Sequence, residues 1–318
     1  MNLMEQMHAA NESLHGRHVL TWLDYTQSDV SRLLASAQHV KENPYSQSMK
    51  GKTLGMIFEK SSTRTRVSFE VGMVQMGGHA LYLNSRDIQI GRGETIADTA
   101  QVLSGYVDAL MYRTTSHEKL EELAAHASVP VINGLCDRYH PCQALADIFT
   151  ILEIKGRLSG LKVVYIGDGN NVAHSLMILS AMMGMEVVIC TPEGYEPDKE
   201  LTEKARGLAE QYDGKVTVET DPQRAAWKAD VIYTDVWASM GQEDEAEARI
   251  QEFNGYQVNA DLLDQAAADV TFLHCLPAHR GEEVTADVID GPHSVVFQQA
   301  ENRMHVQKAI LQAVIGWK

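Results

Sequence analysis

Cysteine is scarce in this chain: four residues in 318, Cys136, Cys142, Cys190 and Cys275, with no Cys-x-x-Cys pair. That scarcity excludes a disulfide frame and a zinc knuckle, and it points to a reducing, cytoplasmic setting. Long apolar runs are also missing, so no stretch is fit to span a membrane, and the polar, mixed-charge residues Met1 to His18 lack a signal peptide's apolar core. Positive charge is in deficit, with 27 Lys and Arg against 43 Asp and Glu and a formal net charge of −16. Such a chain is a poor partner for nucleic acid or an anionic membrane. It is also an awkward host for an anionic ligand. Any phosphate must therefore sit in a concave, locally cationic site, with the acidic excess elsewhere, as in the run Glu243-Asp244-Glu245-Ala246-Glu247, read as a solvated surface or mobile loop. Internal repeats and low-complexity tracts are absent.

What is present describes a globular protein of 44% apolar residues, long enough for two domains of ordinary size. Short apolar runs alternate with helical patterns. Thr53 to Phe58, His79 to Asn84, Ala109 to Tyr112 and Pro130 to Asn133 read as strands, with helices after the first three; a further helix, from about Asp24 to Lys41 with Ser28 as its cap, precedes them. After Gly156 to Gly160 the rhythm resets, with strands at Lys162–Ile166, Glu186–Cys190, Lys215–Glu219, Asp230–Thr234 and Phe272–Pro277, and a last helix from Ala300 to Lys318. Strands alternating with helices predict α/β architecture: two doubly wound parallel-sheet domains, 1–150 with 301–318 and 151–300, joined by a bridging helix, the C-terminal helix packing back on the first domain.

Chemistry-bearing residues gather just past strand ends. Ser61-Ser62-Thr63-Arg64-Thr65-Arg66 lies between the first strand and a helix. Free backbone N–H groups at a helix start favour an anion. Three hydroxyls and the planar fork of Arg64 add donors of the right kind, so the stretch reads as a phosphate seat; the plainer alternative is a helix cap with solvated arginines. Gly167-Asp168-Gly169-Asn170-Asn171-Val172 stands where a dinucleotide fingerprint would, but Val172 occupies the third glycine position. Asn171 then offers an amide suited to an amino-acid ligand, or serves as a turn residue. His140 and Gln143 open another helix beyond Pro141. His274-Cys275 lacks chelating spacing, which argues against a metal; Cys275 is either a thiol beside cationic groups or a small buried hydrophobe. Asp235 suits a cationic amine, and Arg303 is placed at the start of the final helix, where a cation opposes the helix dipole. Arginines, hydroxyls, a histidine and amides, with no metal frame and no Ser-His-Asp order, point to polar group transfer on a phosphorylated substrate.

Together, Ser62-Thr63-Arg64-Thr65, His140-Pro141-Cys142-Gln143, Asp235 with Ser239-Met240-Gly241, and His274-Cys275-Leu276-Pro277 resemble the aspartate/ornithine carbamoyltransferase family over essentially the whole chain. The Ser-Met-Gly loop and the His-Cys-Leu-Pro segment favour its ornithine-using branch. The resemblance implies transfer of the carbamoyl group of carbamoyl phosphate to the δ-amine of L-ornithine, giving citrulline and phosphate, in arginine biosynthesis or degradation, without a cofactor or metal. By resemblance, Ser62, Thr63, Arg64 and Thr65 hold the phosphate and Arg113 reaches phosphate and carbonyl oxygen. His140, Pro141, Cys142 and Gln143 bind the carbamoyl group, Cys275, Leu276 and Arg303 close its pocket, and Gln89 adds a contact from a loop that serves a neighbouring subunit. Asn171, Asp235, Ser239 and Met240 match the ornithine contacts, Cys275, Arg113, His140 and Thr65 the catalytic ones. The first domain would bind carbamoyl phosphate and the second ornithine, in a homotrimer or a multiple of trimers. Gly93 stands where some relatives carry a lysine, with Arg92 beside it. The rival readings are another amine acceptor (acylornithine, putrescine or aspartate) and a non-catalytic amino-acid or phosphate-binding subunit.

Overall fold

The computed structural model describes residues 14–238 and 246–316. Ser239, Met240 and Gly241, and the acidic residues 243–245, lie outside them. The chain divides into two units, one holding residues up to 149 and from 301 onward, the other residues 150–300.

In chain order the first unit runs α1 (Gln27–Glu42), β1 (Thr53–Phe58), α2 (Thr63–Gln75), β2 (His79–Asn84), α3 (Ile96–Ser104), β3 (Ala109–Arg113), α4 (His117–His126), β4 (Val131–Leu135) and the start of α5 (Pro141–Lys155). Its four strands form a parallel sheet in the order β2-β1-β3-β4. All five residues of β3 are buried, as a strand covered on both faces requires. Ile57, Leu110 and Tyr112 pack against Leu120 and Leu123 of α4. Helix α1 is capped by Thr26, not Ser28: Thr26 and Asp29 exchange side-chain-to-backbone hydrogen bonds in a capping box, which leaves Ser28 inside the first turn.

The second unit continues from α5 through β5 (Lys162–Ile166), α6 (Asn171–Met182), β6 (Glu186–Cys190), α7 (Lys199–Gln211), β7 (Lys215–Glu219), α8 (Pro222–Ala226), β8 (Val231–Thr234), α9 (Ala246–Glu252), α10 (Ala260–Leu263), β9 (Thr271–His274) and α11 (Ala286–Ile289). Its parallel sheet has the order β7-β6-β5-β8-β9, so the strand order reverses between β5 and β8. Ile232 and Phe272 pack there with Val258, Leu262 and Val288. The sequence pattern had not marked α9, α10 or α11. Glu247, expected in a surface run or loop, stands exposed on the helix α9.

Helix α12 (Val296–Ile315) begins before Ala300, so Arg303 lies beyond the first turn and not at the helix start. The unfavourable dipole expected for it therefore does not arise. The part of α12 in the first unit packs on α2 at Gly72, where an added Cβ would come within 3.1 Å of Lys308 Cγ. Lys308 is 1% exposed and its ammonium donates to Pro44 O (2.6 Å) and Gln75 Oε1 (3.0 Å). Burial lowers its pKa to about 8.

The sign follows from linkage. The unfolded chain holds this proton up to about pH 10.4, the folded chain only to about 8, so this group makes stability rise with pH across that window. Lys308→Met removes the term. The wild-type-minus-variant unfolding free energy should therefore rise by on the order of 2 kcal/mol between about pH 8 and 10 in paired denaturant titrations. A difference independent of pH overturns the assignment.

Candidate active site

In the first unit the sequence places Ser62 at the N-cap of α2, where its Oγ accepts from Thr65 N at 3.3 Å. The Ser62 hydroxyl proton remains a donor, and Thr63, Arg64 and Thr65 make the first helical turn. Thr65 is fully buried. Its Oγ1 accepts from Arg303 Nη2 (2.9 Å) and from Arg113 Nη1 (3.5 Å) at the end of β3. Two buried guanidiniums thus converge on one uncharged oxygen.

His140 lies beside them, 5% exposed, immediately before Pro141 opens α5. Burial, then the charges of Arg303, Arg113 and Arg64, hold its pKa well below the ordinary histidine value, so the ring is neutral at pH 7. One turn along, Gln143 Nε2 donates to the buried carboxylate of Asp147 at 2.8 Å. A carboxylate accepts only, so the amide is fixed with nitrogen toward Asp147. Gln143 Oε1 is buried and has no partner among the described residues, which makes it an acceptor for an incoming N–H. Asp147 was not singled out from the sequence; the four-residue spacing from Gln143 was the available signal.

Other sequence-marked residues stand differently. Cys142 is buried, its thiol donates to Asn133 O at 3.6 Å, and burial pushes its pKa up to about 12, so its sulfur is used within the fold. Pro141 O accepts from Trp22 Nε1. Gln89 is exposed on a short 3-10 turn, Gln89–Gly91. Arg92 donates to Arg86 O, and Gly93 adopts φ +102, a conformation that a lysine there would strain. Arg66 pairs with Glu70 and stacks on Tyr82, a supporting role.

In the second unit, Asn170 rather than Asn171 caps α6: its Oδ1 accepts from Val172 N and Ala173 N. Asn171 is the first helical residue. Gly169 is required by its own chain, since a Cβ there would stand 2.3 Å from Pro197 N. Asn170 Nδ2 donates to Asp235 Oδ2 at 3.1 Å; Asp235 Oδ1 accepts from Cys275 Sγ (3.0 Å) and Val236 N (2.8 Å). Asp235 and Cys275 are therefore brought together with the start of α6.

The turn after β9 is held by two further groups. His274 Nδ1 accepts from Leu276 N at 2.9 Å, so its proton sits on Nε2, which donates to Glu283 Oε1 at 3.1 Å. Glu283, fully buried, also accepts from His279 N. Leu276 has φ +58, rare for a side chain branched at Cγ, and the His274 contact stabilises that bend. Asp235, His274 and Cys275 each bring a ligand-type atom within 4.8 Å of the others. Both His274 nitrogens are committed, which leaves no imidazole lone pair for an ion. Glu283 had escaped sequence reasoning, because nothing in its spacing from His274 signals the pairing.

Residues 17–153 match the family model for the carbamoyl-P binding domain of aspartate/ornithine carbamoyltransferase, and residues 159–314 match that family's Asp/Orn binding domain. The ornithine carbamoyltransferase of Bacillus subtilis strain 168 is 61% identical over 310 residues, 97% of each chain. That of Thermococcus kodakarensis is 58% identical, covering 96% of this chain and 98% of the relative. The solved structure of ornithine carbamoyltransferase from Pyrococcus furiosus superposes with a TM-score of 0.93 at 57% identity, covering 95% of this chain and 98% of that one.

The electrostatics of the first unit can be tested directly. At pH 6.5, where an ordinary histidine is half protonated, the His140 ring should give the NMR signature of neutral imidazole. Arg303→Gln should move its titration upward toward the ordinary value. Half protonation at pH 6.5 in the wild type would show that neither burial nor the guanidiniums hold the ring neutral.

Proposed function

The chain belongs to the aspartate/ornithine carbamoyltransferase family, and from that premise we propose that it transfers the carbamoyl group of carbamoyl phosphate to the δ-amine of L-ornithine, releasing citrulline and phosphate. One observation carries the residue assignment: Arg113 and Arg303 converge on the Thr65 hydroxyl beside a neutral His140.

Carbamoyl phosphate binds the first unit. Ser62, Thr63, Arg64 and the free N–H groups of the first turn of α2 hold its phosphate, with Arg113 spanning phosphate and carbonyl oxygen. Gln143, oriented by Asp147, accepts from the carbamoyl NH2. Cys275 and Leu276 contribute to the carbamoyl contacts, in keeping with the motif they share with the family. L-Ornithine binds the second unit through Asn171, Asp235, Ser239 and Met240, the last two lying outside the described residues.

The δ-amine attacks as the neutral base. Arg64, Arg113 and Arg303 disfavour another cation at the reacting carbon and so favour that form. As the N–C bond forms, negative charge develops on the carbonyl oxygen. Thr65, Arg113 and His140 are donors already in place for it, worth on the order of 3 kcal/mol each in comparable sites. Phosphate departs with the C–O electron pair and takes the amine's proton, so no separate base is needed. Cys275 orients the amine; its thiol proton is directed at Asp235.

Association into a homotrimer belongs to the same proposal. Val67, Val71 and Val74 form an exposed apolar row on α2, with Leu81 exposed on the edge strand β2. Such a face suits burial against another copy. The exposed Gln89 would then reach a neighbouring subunit's site. No described helix is long and apolar enough to cross a membrane. The four cysteines are thiols and not disulfides, which supports a cytoplasmic location.

Purified protein should convert carbamoyl phosphate and ornithine to citrulline, with acylornithine, putrescine and aspartate poor acceptors; absence of citrulline sinks the proposal. Light scattering should give three chain masses or a multiple, and a monomer at assay concentration would remove the trimer. Cys275→Ser should keep measurable turnover with a raised ornithine KM. A carbamoylated Cys275 detected by mass spectrometry during turnover would instead establish a covalent route.

A further inference from the structure

Arg249 of α9 joins two loops of the second unit. Its Nη1 lies 2.7 Å from Asp168 Oδ2 and 2.9 Å from Trp237 O. Asp168 follows β5 and Trp237 follows β8, the two strands between which the sheet order reverses. At that point an open parallel sheet forms a crevice beyond its strand ends. Asn171 opens α6 directly after the first of these loops, and Asp235 lies in the second.

The contact is built deeply. Arg249 is 6% exposed and Asp168 9%. The guanidinium lies over the Tyr195 ring at 5.1 Å. Just past the end of α9, Phe253 stacks on Trp237 at 5.7 Å and meets Tyr195 edge-on at 4.9 Å. The two loops are also linked directly: Asp168 O accepts from Asn170 N at 2.7 Å, and Asn170 Nδ2 donates to Asp235. A closed ring results, from Arg249 through Asp168, Asn170 and Asp235 along the chain to Trp237 and back to Arg249.

A buried ion pair is a costly way to hold a seven-residue helix, because desolvation offsets much of the attraction. What such a pair supplies is geometry. We propose that Arg249 is a positioning residue for the amino-acid substrate: by tying the loop after β5 to the loop after β8 it fixes the spacing of Asn171 and Asp235. The inference rests on the ornithine reading above. Arg249 touches neither substrate; it acts through Asp168 and the Trp237 carbonyl. Loss of the pair lets the two loops shift independently, and a displacement of about 1 Å in a substrate-positioning group costs up to roughly 100-fold.

Steady-state kinetics in both substrates test this on Arg249→Met, Arg249→Lys and Asp168→Asn, with thermal melts defining a temperature at which each is folded. Arg249→Met should raise the ornithine KM about 10- to 100-fold and leave the carbamoyl phosphate KM within about twofold. Arg249→Lys keeps the charge but loses the planar fork and should fall between it and wild type. A merely structural role predicts something else: activity falling with the folded fraction and the ornithine KM unmoved. That result overturns the inference. Should Arg249→Met fail to fold, Arg249→Lys and Asp168→Asn carry the same split, and an unchanged ornithine KM in both is equally decisive. A wild-type protein that forms no citrulline sinks the ornithine reading with this one, whereas an active wild type with unmoved variants sinks this one alone.

Discussion

Burying like charge beside like charge is the constraint on which the first unit depends. Arg113 and Arg303 meet at the Thr65 hydroxyl, an oxygen that accepts their hydrogen bonds without cancelling their charge. Burial first, and then their charges together with that of Arg64, hold the pKa of His140 well below the ordinary value. A bound anion lowers the energy of this arrangement more than any other ligand, since it repays cationic desolvation and cationic repulsion together. The net charge of −16 makes locality essential. An acidic protein binds carbamoyl phosphate only where a few guanidiniums are held close in a low-dielectric setting and the carboxylates are kept away.

Parallel topology delivers these groups. In both units the residues proposed for the site lie at or beyond the carboxyl ends of strands: Ser62 to Thr65 after β1, Arg113 ending β3, His140 after β4, Asn171 after β5, Asp235 after β8 and Cys275 after β9. Parallel strands joined through helices bring the helix N-termini to that same edge, so free N–H groups and the positive ends of dipoles accumulate there. Arg303 reaches the first unit's site by another route, from within α12, and so the start of a helix is not what positions it. Gly72 and Lys308 do part of that work by fixing how closely α12 lies on α2.

The central strands were legible because each is a short apolar run with turn residues on both sides, buried on two faces, while the partly buried edge strands β2 and β7 show alternation instead. The site motifs were legible for a similar reason: each is a local cluster of chemistry at a strand end. Less was legible where partnership crosses the chain. Ser28 and Thr26 both suit a cap, and only the reciprocal bond with Asp29 decides between them. Helices of four residues, such as α10 and α11, hold too few turns to show a period. Asp147, Glu283, Asp168 and Arg249 touch no substrate in the proposed chemistry. They hold residues assigned to that chemistry, and these contacts exist only once the backbone has brought separate segments together.

Asp235 shows why those orienting contacts matter. An ionised carboxylate offers about four acceptor positions. Val236 N, Cys275 Sγ and Asn170 Nδ2 occupy three. The group is therefore fixed in orientation, yet it keeps capacity for one more donor, which suits a substrate ammonium. In the proposed reaction, engaging the Cys275 proton at Asp235 also directs the thiol hydrogen away from the attacking amine. A thiol so held meets that amine as a weak acceptor, favouring the orientation in which the nitrogen lone pair is left for carbon. Under the proposed assignment a single carboxylate thus couples binding of the acceptor at one end to its restraint at the other.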